Sequence, residues 1–126
     1  MKMVDSSGWL EYFAGTPNAE NFAPAIEKPA KLLVSVINMH EVFKKIARES
    51  SETAALKAVA LMQQGKVQPV TTPISLNAAR IGNQHKLRPA DSLIYATALQ
   101  YGATLLTQDI DFKGIDGVAY FAKSNS

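Results

Sequence analysis

The sequence predicts an α/β fold with three layers, in which a central parallel β-sheet carries helices on both faces. Short apolar runs alternate with segments of helical periodicity along the 126 residues. Strands that are separated by helices favour parallel pairing through right-handed crossovers. With 47% hydrophobic residues, the chain can bury one core and is too short for two ordinary domains. We therefore predict a single domain over residues 1–122 and a frayed polar tail over residues 123–126.

The first third of the chain contains two predicted strands. Residues 3–4 form a short apolar run, and Asp5 behind them begins capping chemistry for a helix that Gly15 ends. A second short helix is predicted over residues 18–26. Residues 32–37 are almost all apolar, which is typical of a strand buried on both faces.

The middle of the chain is mainly helical. Residues 38–49 and 53–64 have helical periodicity and are predicted to pack as a helical hairpin. A short strand over residues 67–70 and a helix over residues 74–86 follow.

The last third returns to the strand-and-helix alternation. Pro89 suits a first helical position, so we predict a helix over residues 90–101 that Gly102 terminates. Strands are then predicted over residues 103–107 and 118–121.

Composition excludes several classes of protein. The absence of cysteine rules out a disulfide scaffold and a thiolate metal site, and favours a cytoplasmic location. The first acid comes too early for a signal peptide, and no run reaches the roughly 18 apolar residues of a membrane span. The formal net charge of +2 permits contact with a polyanion without requiring it. We expect a soluble protein without a membrane partner.

Acidic side chains follow several of the predicted strands. Asp5 follows the first strand, Glu41 begins the helix after the second, and Asp109 follows the strand over residues 103–107. Ligands of parallel α/β sheets bind beyond the carboxyl ends of the strands. Asp91, at the start of a helix, lies on the same helical face as apolar side chains and is expected to face inward. These acids are therefore predicted to meet at one edge of the sheet.

Each acid also has an ordinary structural explanation. Asp5 suits a helix N-cap, and Glu41 suits a solvated helix face. Asp91 would offset a helix dipole, while Asp109 and Asp111 suit a loop. Only their convergence predicts chemistry.

Converging carboxylates need a neutralising partner. At roughly 4 Å, two carboxylates repel by about 4 kcal/mol at an effective dielectric constant near 20. Protonation is one solution and a hard divalent cation is another. Because there is no cysteine, and His40 and His85 suit surface or boundary positions, the ligand set favours Mg²⁺ or Mn²⁺ over Zn²⁺. Such ions activate water for displacement at a phosphodiester.

Hydroxyls and cations accompany the acids. Ser6 and Thr107 are candidates for orienting the carboxylates or metal-bound waters. Arg88 and Lys113 flank acids and are candidates for contacting phosphate. The remaining basic side chains are interpreted as solubilising charge, among them Lys44, Lys45, Arg48, Arg80 and Lys86.

Four sequence blocks spread over nearly the whole chain carry a family resemblance. They are VDSS at residues 4–7, SVINMHEV at 35–42, ADSLIYATA at 90–98 and LLTQDIDF at 105–112. Together they resemble the PIN-domain family, specifically the VapC type of bacterial and archaeal toxin. The last two blocks in tandem are the more specific part.

The resemblance implies a parallel sheet wrapped by helices, an acidic cluster that binds Mg²⁺ or Mn²⁺, and cleavage of single-stranded RNA, often transfer or ribosomal RNA. Asp5, Glu41, Asp91 and Asp109 take the positions of the four family acids, and Asp111 matches an additional acid of many members. Members of this toxin family usually form homodimers, and a partner antitoxin covers the active-site groove, sometimes with an arginine among the acids.

Two further positions can be compared with the family. Thr107 matches a hydroxyl often found two residues before the fourth acid. Asn38 stands where similar proteins frequently carry threonine, a departure that leaves the acidic set intact.

The leading hypothesis is a ribonuclease toxin that uses a metal-activated water. A housekeeping PIN-type nuclease without an antitoxin and a non-catalytic module that binds RNA or protein remain alternatives. Aspartate-based phosphoryl transfer is less favoured. A receiver domain would need an additional acid pair. A haloacid-dehalogenase-like domain would need a DxD motif after the first strand, where this chain has DSS.

Overall fold

The computed structural model describes residues 1–123, which contain five parallel strands and six α-helices. The strands are β1 (Lys2–Val4), β2 (Leu32–Ser35), β3 (Lys66–Gln68), β4 (Thr104–Thr107) and β5 (Val118–Tyr120). The helices are α1 (Ser6–Ala14), α2 (Ala23–Ile26), α3 (Val36–Glu49), α4 (Glu52–Met62), α5 (Thr72–His85) and α6 (Pro89–Gln100). The predicted α/β class with a parallel sheet is confirmed.

The strand order is β3-β2-β1-β4-β5, so the first strand of the chain lies at the centre of the sheet. Met3 is level with Leu33 on one side and with Leu105 on the other. Because neighbouring strands are parallel, their carboxyl ends share one edge. Asp5 and Asp109 follow two of these ends.

Alternate residues of the strands enter two different hydrophobic cores. Met3 and Leu105 pack with side chains of α5 and α6, whereas Val4 and Leu106 pack with side chains of α1 to α4. Burial of an apolar side chain of this size contributes about 1.5–3 kcal/mol. The strands are apolar on both faces because helices cover both faces of the sheet.

Helix α1 lies unusually close to the central strand. Asp5 caps it by accepting a hydrogen bond from the Gly8 amide at 3.0 Å, and Gly15 ends it with a left-handed φ of 67°. A Cβ atom at Gly8 would lie 2.6 Å from Val4 Cγ1 and 2.8 Å from the Phe22 ring. A larger residue at this position would therefore have to displace Val4 or Phe22.

The strand predicted over residues 32–37 was too long. Ser35 accepts a hydrogen bond from the Ile37 amide, and the Asn38 side chain accepts one from the Ser35 amide. This capping box starts α3 at Val36, although the apolar run continues.

The single helix predicted over residues 18–26 was also wrong. The chain instead forms a 3₁₀ turn over Pro17–Asn21 and then the short α2. A proline occupies an early position of each segment, so each restarts the winding. The other predicted helices and strands agree with the observed bounds to within two residues at each end, and α3 and α4 form the predicted hairpin.

The last described residue forms an ion pair with α1. Lys123, which was predicted to belong to a frayed tail, lies with its Nζ 3.3 Å from Glu11 Oε1. The rest of that tail, residues 124–126, lies outside the described residues. None of the helices in residues 1–123 combines the length and the apolar character that a membrane span requires.

Candidate active site

Three carboxylates converge at the carboxyl edge of the sheet. Asp91, Asp109 and Asp111 each offer an oxygen, and these oxygens lie within 4.8 Å of one another. Asp91 comes from the first turn of α6, and the other two come from the segment after β4. At this separation two carboxylates repel by about 3.5 kcal/mol at an effective dielectric constant near 20. We call these three carboxylates the acidic triad, and a cation placed among them would relieve their repulsion.

Asp91 is the most buried member of the acidic triad, with 7% of its surface exposed. Burial raises the pKa of this carboxyl above its usual value, Asp109 and Glu41 add to the rise, and Arg88 opposes it. The inward direction predicted from its helical face is therefore present.

Arg88 spans two members of the acidic triad. Its Nε lies 3.3 Å from Asp91 Oδ2, and its Nη2 lies 3.5 Å from Asp109 Oδ2. The Arg88 side chain is 73% exposed, so solvent screens both ion pairs. The guanidinium partly neutralises the acids while remaining accessible to a ligand.

Asp5 is enclosed much more completely. Its Oδ1 accepts from Ser7 Oγ at 2.7 Å and from the Gly8 amide, and its Oδ2 accepts from Thr107 Oγ1 at 2.8 Å. Burial nevertheless raises the pKa of Asp5 to about 6, because the hydrogen bonds only partly compensate for lost hydration and Asp109 lies nearby. Asp5 is not a member of the acidic triad.

Thr107 connects the two parts of the acidic edge. Its hydroxyl donates to Asp5 and accepts from the Asp109 amide at 2.9 Å. The side chain is fully buried. One hydroxyl therefore fixes the position of a carboxylate after β1 and of the backbone after β4.

Glu41 is oriented by a second hydroxyl. Ser6 Oγ donates to Glu41 Oε1 at 2.6 Å and accepts from Asn38 Nδ2 at 3.1 Å. The Asn38 side chain is also the reciprocal part of the capping box that starts α3. Asn38 thus forms hydrogen bonds with both Ser35, which caps α3, and Ser6, which contacts Glu41.

A family model named PIN domain matches residues 2–118. The chain belongs to the PIN domain family. This membership confirms the resemblance predicted from the four sequence blocks. A comparison with curated protein sequences finds no match.

The fold of this PIN domain is similar to several solved structures. One is a toxin-antitoxin complex from Klebsiella pneumoniae, with a TM-score of 0.83 and 22% identity over 98% of this chain and 100% of that chain. Another is VapC20 of Mycobacterium tuberculosis, described as a sarcin-ricin loop cleaving toxin, with a TM-score of 0.72 and 19% identity over 90% and 92%. A third is DNA-bound VapBC from Salmonella typhimurium, with a TM-score of 0.74 and 17% identity over 97% and 98%. At these identities the likeness establishes the fold.

The residues of the PIN domain's acidic triad fit a hard divalent cation. The donors are carboxylate oxygens, and the chain has no thiol to favour a softer metal. Three mutually repelling carboxylates with a single exposed arginine between two of them leave charge for a cation to neutralise.

Other predicted residues of the PIN domain lie away from the acids. Lys113 places its Nζ 5.7 Å from the centre of the Tyr120 ring, and within residues 1–123 it forms no ion pair with the acidic triad. His40 and His85 are exposed, as expected.

A buried polar network that was not predicted lies behind the site. Glu11 is 7% exposed. Burial alone would raise its pKa, but hydrogen bonds with Thr16, Gln108 and Lys123 outweigh burial and lower the pKa of Glu11. Gln108 immediately precedes Asp109, so this network helps to hold the segment that carries two of the three acids. Adjacency to Asp109 was the only signal in the sequence.

Proposed function

We propose that this PIN domain protein is an endoribonuclease of the VapC type that depends on Mg²⁺ or Mn²⁺. The observation that carries the proposal is the convergence of Asp91, Asp109 and Asp111 within 4.8 Å at the carboxyl edge of the sheet. When bound there, the cation would supply an activated water and neutralise charge on the phosphodiester.

The remaining acids have supporting positions in this proposal. Asp5 is connected to the acidic triad because Thr107 forms hydrogen bonds with both Asp5 and the Asp109 amide. Glu41 is close enough to raise the pKa of Asp91. Their bonded hydroxyls limit rotation of both carboxylates, which keeps the acidic edge in one arrangement. Cleavage then needs no side-chain nucleophile.

Arg88 would exchange its partners when RNA binds. In the protein alone its guanidinium contacts Asp91 and Asp109. A cation bound between the acids would weaken those ion pairs, and phosphate offers a guanidinium two oxygens in a matching geometry. Arg88 is therefore assigned to a phosphate next to the bond that is cut.

The proposed biological role is that of the toxin of a toxin-antitoxin pair. It draws on the fold shared with toxin chains from such complexes. Ribosomal RNA is the first substrate to test, because the VapC20 toxin of similar fold is described as cleaving the sarcin-ricin loop; transfer RNA is the second. The proposal includes a cytoplasmic homodimer.

An apolar groove offers a docking place for the antitoxin. It has a volume of about 590 Å³ and lies between α1, α3 and α4, where Leu10, Phe13, Ile46 and Leu61 line it. Accessible apolar surface of this kind is typical of protein-binding sites. A Leu61→Asp variant should retain RNA cleavage and lose inhibition by the antitoxin.

The catalytic proposal is tested with an Asp91→Asn variant and a matched Asp116→Asn control. Asp116 is exposed and lies outside the acidic triad. Calorimetry with Mn²⁺ should give binding to the wild type and the control, and at least about 100-fold weaker binding to Asp91→Asn. Cleavage of purified ribosomal RNA should follow the same order. Equal cleavage by all three proteins would remove Asp91 from the catalytic set.

The toxin role is tested separately in cells. Induced wild-type protein should arrest growth, Asp91→Asn should not, and co-expression of the neighbouring reading frame should restore growth. Metal-dependent cleavage without growth arrest would instead support the housekeeping nuclease. Absence of both metal binding and cleavage would support a non-catalytic module.

A further inference from the structure

A second groove begins at the acidic edge and follows α3. Its volume is about 620 Å³. Arg88 and Glu41 line the end next to the acidic triad, and Lys44, Lys45 and Arg48 line the part beyond. We call this surface the cationic groove. The sequence had indicated only scattered solubilising charge for the three α3 cations.

The helical geometry aligns these charges. Positions 41, 44, 45 and 48 are separated by three or four residues, so they share one face of α3. At 1.5 Å per residue, Arg48 lies about 10 Å along the helix axis from Glu41. That length can accommodate about 2–3 consecutive phosphates of a nucleic-acid strand.

The cations of α3 are available to an external ligand. Among residues 1–123, Lys44 and Lys45 have no ion-pair partner, and Arg48 has only Glu49, at 3.7 Å. Both side chains of that pair are more than half exposed, so the pair contributes at most about 1 kcal/mol. An incoming anion would break little existing structure.

We propose that the cationic groove binds the backbone phosphates of single-stranded RNA on one side of the bond that is cut. The proposal rests on the proposed function, because the cleavage centre lies at the Arg88 end. Arg88 joins the two regions, since it lines the groove and also contacts Asp91 and Asp109. A strand that follows α3 is thereby guided to the acidic triad.

The series of cations along α3 favours RNA over an acidic protein segment. A cation bound by the acidic triad could hold a phosphodiester or a carboxylate at the Arg88 end, so that end does not separate the two ligands. Lys44, Lys45 and Arg48 line the groove on one face of α3. Single-stranded RNA provides the regular series of charges that these cations match.

The test measures binding in EDTA, so that cleavage does not interfere. The probe is a fluorescein-labelled oligouridylate of about 12 nucleotides, followed by fluorescence anisotropy at several KCl concentrations. The Lys44→Ala/Arg48→Ala variant should bind about tenfold more weakly at low salt. Its slope of log K against log[KCl] should become shallower by about 1.4, because each lost phosphate contact removes about 0.7.

The matched control is Lys66→Ala/Arg80→Ala. It removes the same two residue types from exposed positions outside the cationic groove. Thermal unfolding of both variants checks that they remain folded. We expect the control to change affinity by less than about twofold and to leave the salt slope unchanged.

Two results would overturn the proposal. Equal weakening in both variants would mean that net charge alone attracts the oligonucleotide. Wild-type affinity in the Lys44→Ala/Arg48→Ala variant would leave the groove to another ligand, such as an acidic protein segment. Failure of the proposed function gives a different pattern, in which the wild-type protein binds the oligonucleotide through the groove in EDTA but cleaves no RNA when Mn²⁺ is added.

Discussion

Asp5 and the acidic triad lie at the same edge of the sheet but differ in burial and in hydrogen bonding. Asp5 is 3% exposed, and both of its oxygens accept hydrogen bonds from the protein. The acidic triad is more open, and its only ion-pair partner within residues 1–123 is the exposed Arg88. The comparison indicates that Asp5 is built into the scaffold, whereas the acidic triad is arranged to receive a ligand.

The two parts also differ in what would relieve their charge. Both oxygens of Asp5 already accept hydrogen bonds. Burial still disfavours the charged carboxylate, and protonation removes that charge. The carboxylates of the acidic triad repel one another, and a shared cation removes that repulsion.

The largest effect is expected from Asp5→Asn in EDTA. The pKa of Asp5 rises from 3.8 to about 6 on folding, so the folded chain holds an extra proton between these values. The free energy of unfolding should therefore fall by about 3 kcal/mol as the pH rises through that range. Asparagine does not ionise and lacks this loss.

Urea unfolding at several pH values between about 4 and 7.5 measures the difference. The variant should match the wild type at the acidic end and exceed it by up to about 3 kcal/mol at neutral pH, less whatever the altered hydrogen bonds cost. Asp116→Asn should follow the wild-type curve. Parallel curves for Asp5→Asn and wild type would mean that the buried carboxylate carries no such penalty.

The next effect is stabilisation of the acidic triad by metal. At Mn²⁺ concentrations about 100 times the dissociation constant, the wild-type protein should gain about 2.7 kcal/mol. Asp111→Asn should gain much less, because it removes one of the three ligands. Thermal unfolding with and without Mn²⁺ compares them. Full stabilisation of the variant would assign Asp111 only an accessory role.

A smaller effect is expected where the two parts meet. Thr107→Val removes the donor to Asp5 and the acceptor of the Asp109 amide, and should cost about 2 kcal/mol of stability. Mn²⁺ affinity should also fall by about 10–100-fold, because the segment carrying Asp109 loses its anchor. Thr107→Ser keeps the hydroxyl and should restore both quantities. If serine and valine behave alike, the hydroxyl is not the connection.

The smallest effect should have the opposite sign. Arg88→Ala removes a cation that competes for Asp91 and Asp109, so Mn²⁺ should bind a few-fold more tightly. The gain is limited to about 1 kcal/mol because the Arg88 side chain is mostly exposed. Calorimetry compares this variant with Arg80→Ala, which should match the wild type. Weaker Mn²⁺ binding by Arg88→Ala would show that Arg88 organises the acids instead of competing for them.

Much of the fold was predictable because its signals are local. Apolar runs, helical periodicity and the residues at helix ends indicated nearly all of the elements in order. The inward direction of Asp91 was also local, since Ile94 and Tyr95 lie on the same face of α6 and are buried. The end of β2 was missed because two signals competed over the same residues, and the capping pair of Ser35 and Asn38 outweighed the apolar run.

The parts of the site that could not be predicted depend on distant neighbours. The spacing of Lys44 and Arg48 indicates a shared face, but only the packing of α3 beside the start of α6 puts that face next to the acids. Glu11 forms a hydrogen bond with Gln108, which is far away in sequence. Lys113 was the reverse case, because it is close to Asp111 in sequence but its ammonium lies over Tyr120.

The central position of β1 determines how late in synthesis the sheet can be completed. Strand β1 is made before β4, with which it pairs, and Asp5 accepts a hydrogen bond from a threonine 102 residues later. Such non-local pairing forms late, because the intervening chain must be made and ordered first. An unfinished chain that stops before β4 also lacks Asp109 and Asp111. The acidic triad can therefore assemble only once translation has passed Asp111.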